Sequence, residues 1–600
     1  MSASRTVSSL VALVTVVGAG VSGVAMAQQS RAPKDSPPSV LGSYMAGRVA
    51  RSENDIVEAA KYYNRAMERA PGNDSINGQA FEMSTMQGDF PRAADLAKQL
   101  VAAGTDNRLA RVMVGLTAFK AGKFAEAEEM FKTSGGNPVS DLAATLSRAW
   151  TKQADGQTKD ALELLEQTKA PDAILAFYRY HKALVADVAG RRADARAFYE
   201  RAGKGGENKT LRFALANAQH ASNGGDNKLA QSILQGQLER ARGEGHPLVR
   251  SYLKQIEAGE KLPLIAATAS QGLAEAFFGL GEALMSEGGL GASAVFLQFA
   301  LYLEPEMPFA LATLANIFEG AKRFDLANAA YARIPSGSPL DTSISIRKAL
   351  NLNAEDKVDE AKAALDKLLE KEPGNIVILD TLGTIMRGSK RFEDAVTYYT
   401  RAISAIGTKP EARHWNFFYA RGTSYERLKR WPQAEADLQQ ALKLSPDQAQ
   451  VLNYLGYTWV DMGRNLKQGL AHIEKAVRLK PDDGYITDSL GWAHFKLGNF
   501  KEAAKWLEKA VELRPDDPVL NDHLGDAYWR VGREREARFQ WEQSLLLKPE
   551  PDDRDKIEKK LKAGLPVLAQ AKPQPTKQVQ APQPQRRRTE ARPSPNNPVQ

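Results

Sequence analysis

Small and bulky apolar positions return along this chain on a fixed grid. Toward the carboxy terminus one segment reads Leu490-Gly491, His494, Gly498, Ala503, Leu507, Ala510 and Pro515, and the next reads Leu524-Gly525, Tyr528, Gly532, Ala537, Trp541 and Pro549. Corresponding residues stand 34 apart. Such a period is the mark of a repeat architecture in which each unit is a pair of helices that cannot bury its apolar face alone. Each unit predicts a helix, a tight turn, a second helix and a Pro that ends it.

The grid extends backwards over most of the chain. Leu455-Gly456 with Ala476 and Pro481 fits after one inserted residue around Asn465–Gln468. Gly422, Tyr425, Ala434, Leu438, Ala441 and Pro446 make the unit before it, and Leu382-Gly383, Ala395, Tyr399 and Ala402 the one before that. Ala361, Leu365 and Pro373, then Leu314, Phe318, Ala327 and Tyr331, then Leu280-Gly281, Leu284, Leu297, Ala300 and Pro305 continue it. The amino-terminal half keeps the register in a more degenerate form, from Gly47, Ala59, Tyr63, Ala66 and Pro71 to Gly224, Ala230 and Leu234. About 14 units result, six before a break at Glu244–Gln271 and eight after it. Small residues at the eighth and twentieth positions imply a close approach of the two helices. The bulky residue at the twenty-fourth is expected to fill space between units.

The order L-G-x-x-Y, small, bulky, small, Pro resembles the tetratricopeptide repeat (TPR) family. That resemblance implies an all-α fold, a right-handed α-solenoid of helix-turn-helix repeats in two sub-arrays. The expected organisation is an amino-terminal array at 40–243, an irregular connector at 244–271 and a carboxy-terminal array at 272–551. A charged amphipathic helix at 552–564 is expected to cap the last repeat.

Both ends differ from this body. Met1–Ala27 has Arg5, the apolar run Leu10–Val21 and the small residues Ala25 and Ala27 of a Sec-type signal peptide cleaved after Ala27, which implies export to the periplasm of a bacterial cell. Residues 28–39 are a linker, and 565–600 form a Pro/Gln/Arg-rich tail expected to be disordered. The net charge of +8 resides mostly at these ends. The tail has six basic residues against Glu590, and the leader and linker together three against Asp35, which leaves the repeat body close to neutral. The high pI therefore does not point to nucleic acid.

Catalytic chemistry finds little material. With no cysteine among 600 residues, disulfides, thiolate metal sites, thiol catalysis and a lipidated cysteine anchor are excluded. Seven scattered histidines show no metal-ligand spacing, and no cofactor or metal is expected. Gly203–Thr210 (GKGGENKT) imitates a phosphate-binding loop, but Asn208 replaces the second Gly and a helix, not a strand, precedes it.

A binding role is the remaining expectation. In the TPR family positions 2, 5, 9 and 12 of the first helix face the concave groove. In the last three repeats these positions include Asn453 and Tyr457, then Tyr485, Asp488, Trp492 and Phe495, then Asp522, Asp526 and Trp529. Exposed aromatics are common interface anchors, and the three aspartates suggest an acidic groove for a neutral or partly basic protein segment. Asn453–Ala510 further resembles the carboxy-terminal repeats of proteobacterial envelope TPR proteins, among them adaptors that bring cell-wall hydrolases to a carboxyl-terminal processing protease. The expected function is a non-catalytic adaptor of the cell envelope. The alternative is a periplasmic scaffold for polysaccharide export or outer-membrane assembly.

Overall fold

The computed structural model describes residues 39–204, 210–240 and 245–566, and among them every regular element is helical. The leader, the linker up to residue 38 and the tail from residue 567 lie outside the described residues, as does most of the Gly203–Thr210 run. The chain divides into two compact units, Met1–Leu368 and Leu369–Gln600.

The first unit opens with six helix pairs. These are α1 (Val40–Ser52) with α2 (Ile56–Arg69), α3 (Asp74–Gln87) with α4 (Phe90–Ala102), and α5 (Arg108–Lys120) with α6 (Phe124–Lys132). They continue with α7 (Pro138–Ala154) and α8 (Thr158–Gln167), α9 (Asp172–Val188) and α10 (Arg192–Lys204), and α11 (Leu211–Asn223) and α12 (Asn227–Arg240). A lone helix α13 (Pro247–Glu257) leads into an irregular stretch and then α14 (Ala269–Ser286) with α15 (Leu290–Leu303). The unit closes with α16 (Pro308–Gly320), α17 (Phe324–Ala332), α18 (Asp341–Ala354) and most of α19 (Val358–Lys371).

The second unit is a plain run of pairs. It holds α20 (Ile376–Gly388) with α21 (Phe392–Ile406), α22 (Trp415–Arg427) with α23 (Trp431–Leu444), and α24 (Ala449–Asp461) with α25 (Leu466–Leu479). After these come α26 (Gly484–Lys496) with α27 (Phe500–Leu513), α28 (Pro518–Arg530) with α29 (Glu534–Leu546), and the final helix α30 (Pro551–Ala563).

One contact recurs in eight of the fourteen helix pairs among the described residues. The glycine near the middle of the first helix has no Cβ because the bulky residue of the second helix lies over it. A Cβ would come within 2.6 Å of Phe131 at Gly115, 2.7 Å of Tyr399 at Gly383, 2.6 Å of Leu507 at Gly491 and 2.5 Å of Trp541 at Gly525. The bulky residue thus packs inside its own repeat, which corrects the expectation that it chiefly fills space between repeats. The interval is 16 residues in each case; Gly456, 17 residues before Ile473, is the exception. The inserted residue is absorbed at Asn465, which takes a left-handed backbone (φ 46°) just before α25.

The turns between paired helices keep the same register. Gly88, Gly122, Gly156 and Gly190 adopt positive φ at intervals of 34 residues, and Lys322, Asp356 and Lys390 occupy the same turn with φ near 60°. Helix capping by Asn73, Asn107, Asp483 and Asp517 satisfies the first backbone N–H groups of α3, α5, α26 and α28.

The connector does not space two arrays apart. It returns the chain so that α14 and α15 pack along the first helices of the preceding pairs: α15 against α3 and α5, α14 against α7 and α9. Gln298 Nε2 donates to the Met86 carbonyl at 2.8 Å, and Lys120 Nζ to the Tyr302 carbonyl at 2.7 Å. Glu275, 2% exposed, accepts from Tyr180 Oη and Arg212 Nε at 3.0 Å each. Gly272 lies flat on the Trp150 ring, where a Cβ would stand 2.2 Å from the nearest carbon. The Trp150 indole in turn donates to His181 Nδ1 at 3.2 Å, and burial holds that histidine neutral, its pKa down to about 3.

Composition explains the placement. A helix that is apolar on one stripe rests on a surface, while one apolar all round must be enclosed. Helix α15 (LGASAVFLQFALYL) is of the second kind, and Phe299, Leu297, Ala300 and Leu301 are wholly buried. Glu275→Ala is expected to destabilise the first unit by about 3–5 kcal/mol, because it strands Arg212 in the core. Gly272→Val is expected to cost at least about 1–3 kcal/mol through overpacking on Trp150. Urea unfolding followed by tryptophan fluorescence measures both; unchanged midpoints would mean that the hairpin is not seated as described.

Candidate functional site

In the second unit the face corresponding to the one filled by α14 and α15 is open. The first helices α22, α24, α26 and α28 line a cleft of about 500 Å³. Two aspartate caps set its rim. Asp483 accepts from the backbone N–H of Tyr485 at 3.1 Å and Asp517 from that of Val519 at 2.8 Å, which fixes both residues in the first turns of α26 and α28. Tyr485 is 49% exposed and Val519 44%. The Arg514 guanidinium lies 5.3 Å from the centre of the Tyr485 ring.

Of the nine residues singled out from the sequence, Asn453, Tyr457, Tyr485 and Asp488 line this cleft. The Asn453 side-chain carbonyl is buried and has no hydrogen-bond partner among the described residues. Burial, with the Asp461 and Asp488 carboxylates nearby, pushes the Tyr457 phenol up to about 12. Asp488 is buried and accepts from His523 Nδ1 at 3.0 Å. Burial disfavours charge on that imidazole, yet Asp488, and behind it Asp522 and Asp526, raise its pKa above the ordinary histidine value.

Trp492 and Phe495 stand beside the cleft with their ring faces already used. Trp492 stacks on His523 with centroids 3.9 Å apart and on Phe495 at 4.7 Å, and Phe495 meets Phe500 edge-on at 5.3 Å. These rings hold α26 to its neighbours and are not free anchors.

Asp522, Asp526 and Trp529 face α30. Lys560 Nζ donates to both aspartates at 2.8 Å, and Trp541 Nε1 donates to Asp526 at 3.0 Å. Burial raises the pKa of Asp526, with Lys560 pulling the other way. Trp529 packs against Trp541 at 5.5 Å and under Gly564. The carboxylates that line the open cleft are Glu426, Asp461, Asp488 and Asp517, of which Glu426 and Asp461 have exposed lysines as ion-pair partners and Asp488 is held by His523, whereas Asp522 and Asp526 are neutralised by Lys560.

Val519, Asp461 and Asp517 line the cleft but are not among the residues singled out from the sequence. Val519 occupies the second position of its helix, the groove-facing place that Tyr485 takes in the preceding repeat. Asp517 is the N-cap of α28, which explains it without reference to a groove, and Asp461 is the last residue of α24, where it pairs with Lys496. Among the described residues no group of three or more His, Asp or Glu is arranged to hold a metal ion, and no described helix is long and apolar enough to cross a membrane.

The charges at this end of the unit set its response to pH and to mutation. His523 is protonated more readily folded than unfolded. Its contribution to stability is therefore full below about pH 6.5, the ordinary histidine value, and is lost as pH rises through its higher folded pKa. Thermal melts from pH 6 to 9 should show the second unit weakening, and His523→Gln should flatten that slope. Lys560→Met removes the cation shared by Asp522 and Asp526 and should cost about 3 kcal/mol; an unchanged melting temperature would contradict the capping role of α30.

A family model described as "TPR repeat" matches residues 491–532, and one described as "Tetratricopeptide repeat" matches 87–135, 381–449 and 419–484. No curated protein matches the sequence significantly. Among solved structures, the C-terminal part of a TPR repeat-containing protein from Cytophaga hutchinsonii is 17% identical, with a TM-score of 0.28, covering 34% of this chain and 78% of that one. A chain of the APC/C hetero-tetramer Cut9-Hcn1 is 14% identical, with a TM-score of 0.36 over 87% of this chain and 96% of that one. YrrB, a TPR protein with an unusual peptide-binding site, is 20% identical, with a TM-score of 0.27 over 32% and 96%. The chain thus carries tetratricopeptide repeats in both units, within residues 87–135 of the first and residues 381–484 and 491–532 of the second.

Proposed function

We propose that this chain is a non-catalytic adaptor of the bacterial cell envelope that holds an extended segment of another protein in the cleft of its second unit. Tetratricopeptide repeats in general build protein-binding scaffolds without catalysis, and the open cleft is the observation that carries the reading here. It joins exposed Tyr485 and Val519, an unpaired amide carbonyl at Asn453 and three carboxylates on one face. An extended segment can offer backbone N–H groups to the carbonyl and carboxylates while its side chains cover the tyrosine and valine.

The leader at Met1–Ala27 supports export to the periplasm. The resemblance of Asn453–Ala510 to envelope adaptors supports a processing protease and cell-wall hydrolases as partners. In such an arrangement the adaptor acts by raising the local concentration of a substrate beside its enzyme.

A photo-crosslinking residue at position 485 tests the reading in cells, with one at Leu546 (71% exposed, on the second helix of its repeat) as control. Position 485 should capture a discrete envelope protein and position 546 should not. Tyr485→Ala should weaken that partner's binding about 10- to 100-fold, the usual range for an aromatic anchor. Equal labelling at both positions, or none at 485, would overturn the assignment of the cleft.

A further inference from the structure

The described chain ends close to the cleft. Arg530 Nη1, at the end of α28, donates to the Pro566 carbonyl at 2.8 Å, and Leu565 packs into the apolar cluster that includes Trp529. The other end of the same helix carries Asp517 and Val519, on the rim of the cleft. Helix α28 has 13 residues, so about 20 Å separates the point where the chain departs from the site.

The sequence beyond Pro566 is strongly basic. Residues 567–600 contain Lys572, Lys577, Arg586, Arg587, Arg588 and Arg592 against the single acid Glu590. Arg586 lies 20 residues beyond Pro566. At roughly 3.3–3.6 Å per residue that length of chain reaches at most about 70 Å, several times what is needed.

The cleft has the chemistry to receive a guanidinium. Tyr457 and Tyr485 offer rings, and Glu426, Asp461 and Asp517 offer carboxylates. Its lining cations are Arg427 and His523, of which His523 is engaged by Asp488. Arg514 already lies over Tyr485, so that ring accepts an arginine. Lys496 reaches Asp461 at 3.1 Å, but both side chains are well exposed, and such a pair is worth about 0–1 kcal/mol and exchanges readily. Arginine also binds carboxylates bidentately, which lysine does not.

We infer that the Arg586–Arg588 segment of the chain's own tail docks in the cleft of the second unit and competes there with the partner. The inference rests on the proposed role of that cleft. Tethering sets the local concentration of the arginines on the order of millimolar, so even a weak contact occupies the cleft for much of the time. A partner must then bring more than charge, and the residues it needs besides an arginine are those that cover Tyr485 and Val519.

Because the chain has no cysteine, a pair introduced at Val519 and Thr589 is its only one. Mild oxidation of this full-length variant at low salt should link the two positions in most molecules. The link should fall at least tenfold when Arg586, Arg587 and Arg588 are all changed to Glu, or in 1 M salt, where charges are screened beyond about 3 Å. In a second measurement, a labelled peptide of residues 580–592 should bind the full-length triple-Glu variant at least ten times more tightly than the unmodified chain, and Asp461→Asn with Tyr485→Ala should abolish that gain. Equal linkage with and without the arginines, equal peptide affinity for both chains, or a tail that binds anionic phospholipid vesicles while leaving position 519 unlinked would each overturn the inference. The capture of a partner from position 485 would stand in all three cases, so the two readings fail separately.

Discussion

A glycine or a buried alanine at the middle of one helix, opposite a large side chain on the next, is what the rest of the structure depends on. Gly115 beneath Phe131, Gly383 beneath Tyr399 and Gly525 beneath Trp541 let paired helices approach until the ring or branched chain contacts backbone. Burying such a side chain contributes about 1.5–3 kcal/mol, and the geometry leaves one rotation of each helix about its axis that achieves it. Fixing that rotation fixes which residues face outward, and so determines the face on which the first helices present their remaining positions.

The two units treat that face differently. In the first, five successive first helices contact the hairpin of α14 and α15 through Met86, Lys120, Trp150, Tyr180 and Arg212. The surface that a repeat array would offer a partner is the inside of a core. In the second unit the same face is lined by residues that are half-exposed or capped, and its far end is closed by Lys560 of α30. A filled groove is part of a core and an open one is accessible surface, and this chain contains both.

Much of the fold could be read from the sequence because the 34-residue grid reports a contact within each repeat. Even the insertion near Asn465 was visible as a single slipped residue. The return of α14 and α15 was not read, because the grid says nothing about contacts between residues 200 apart. A signal was present in α15, which has almost no polar face and one side-chain amide, Gln298, that finds a backbone carbonyl 212 residues away. The cleft was half legible. Periodicity placed Asn453, Tyr457, Tyr485 and Asp488 on one face, but could not show that Trp492 and Trp529 spend their rings on His523 and Trp541, or that Lys560 would reach back to the aspartates.

Hydrogen exchange on the intact chain tests most directly whether the first unit's groove is permanently filled. Amides of α14 and α15 should exchange together with those of α3, α5 and α7, at the free energy that unfolds the whole first unit. Exchange of α14 and α15 several kcal/mol ahead of those helices would show a hairpin that leaves its groove while the array stays folded, and would contradict the account.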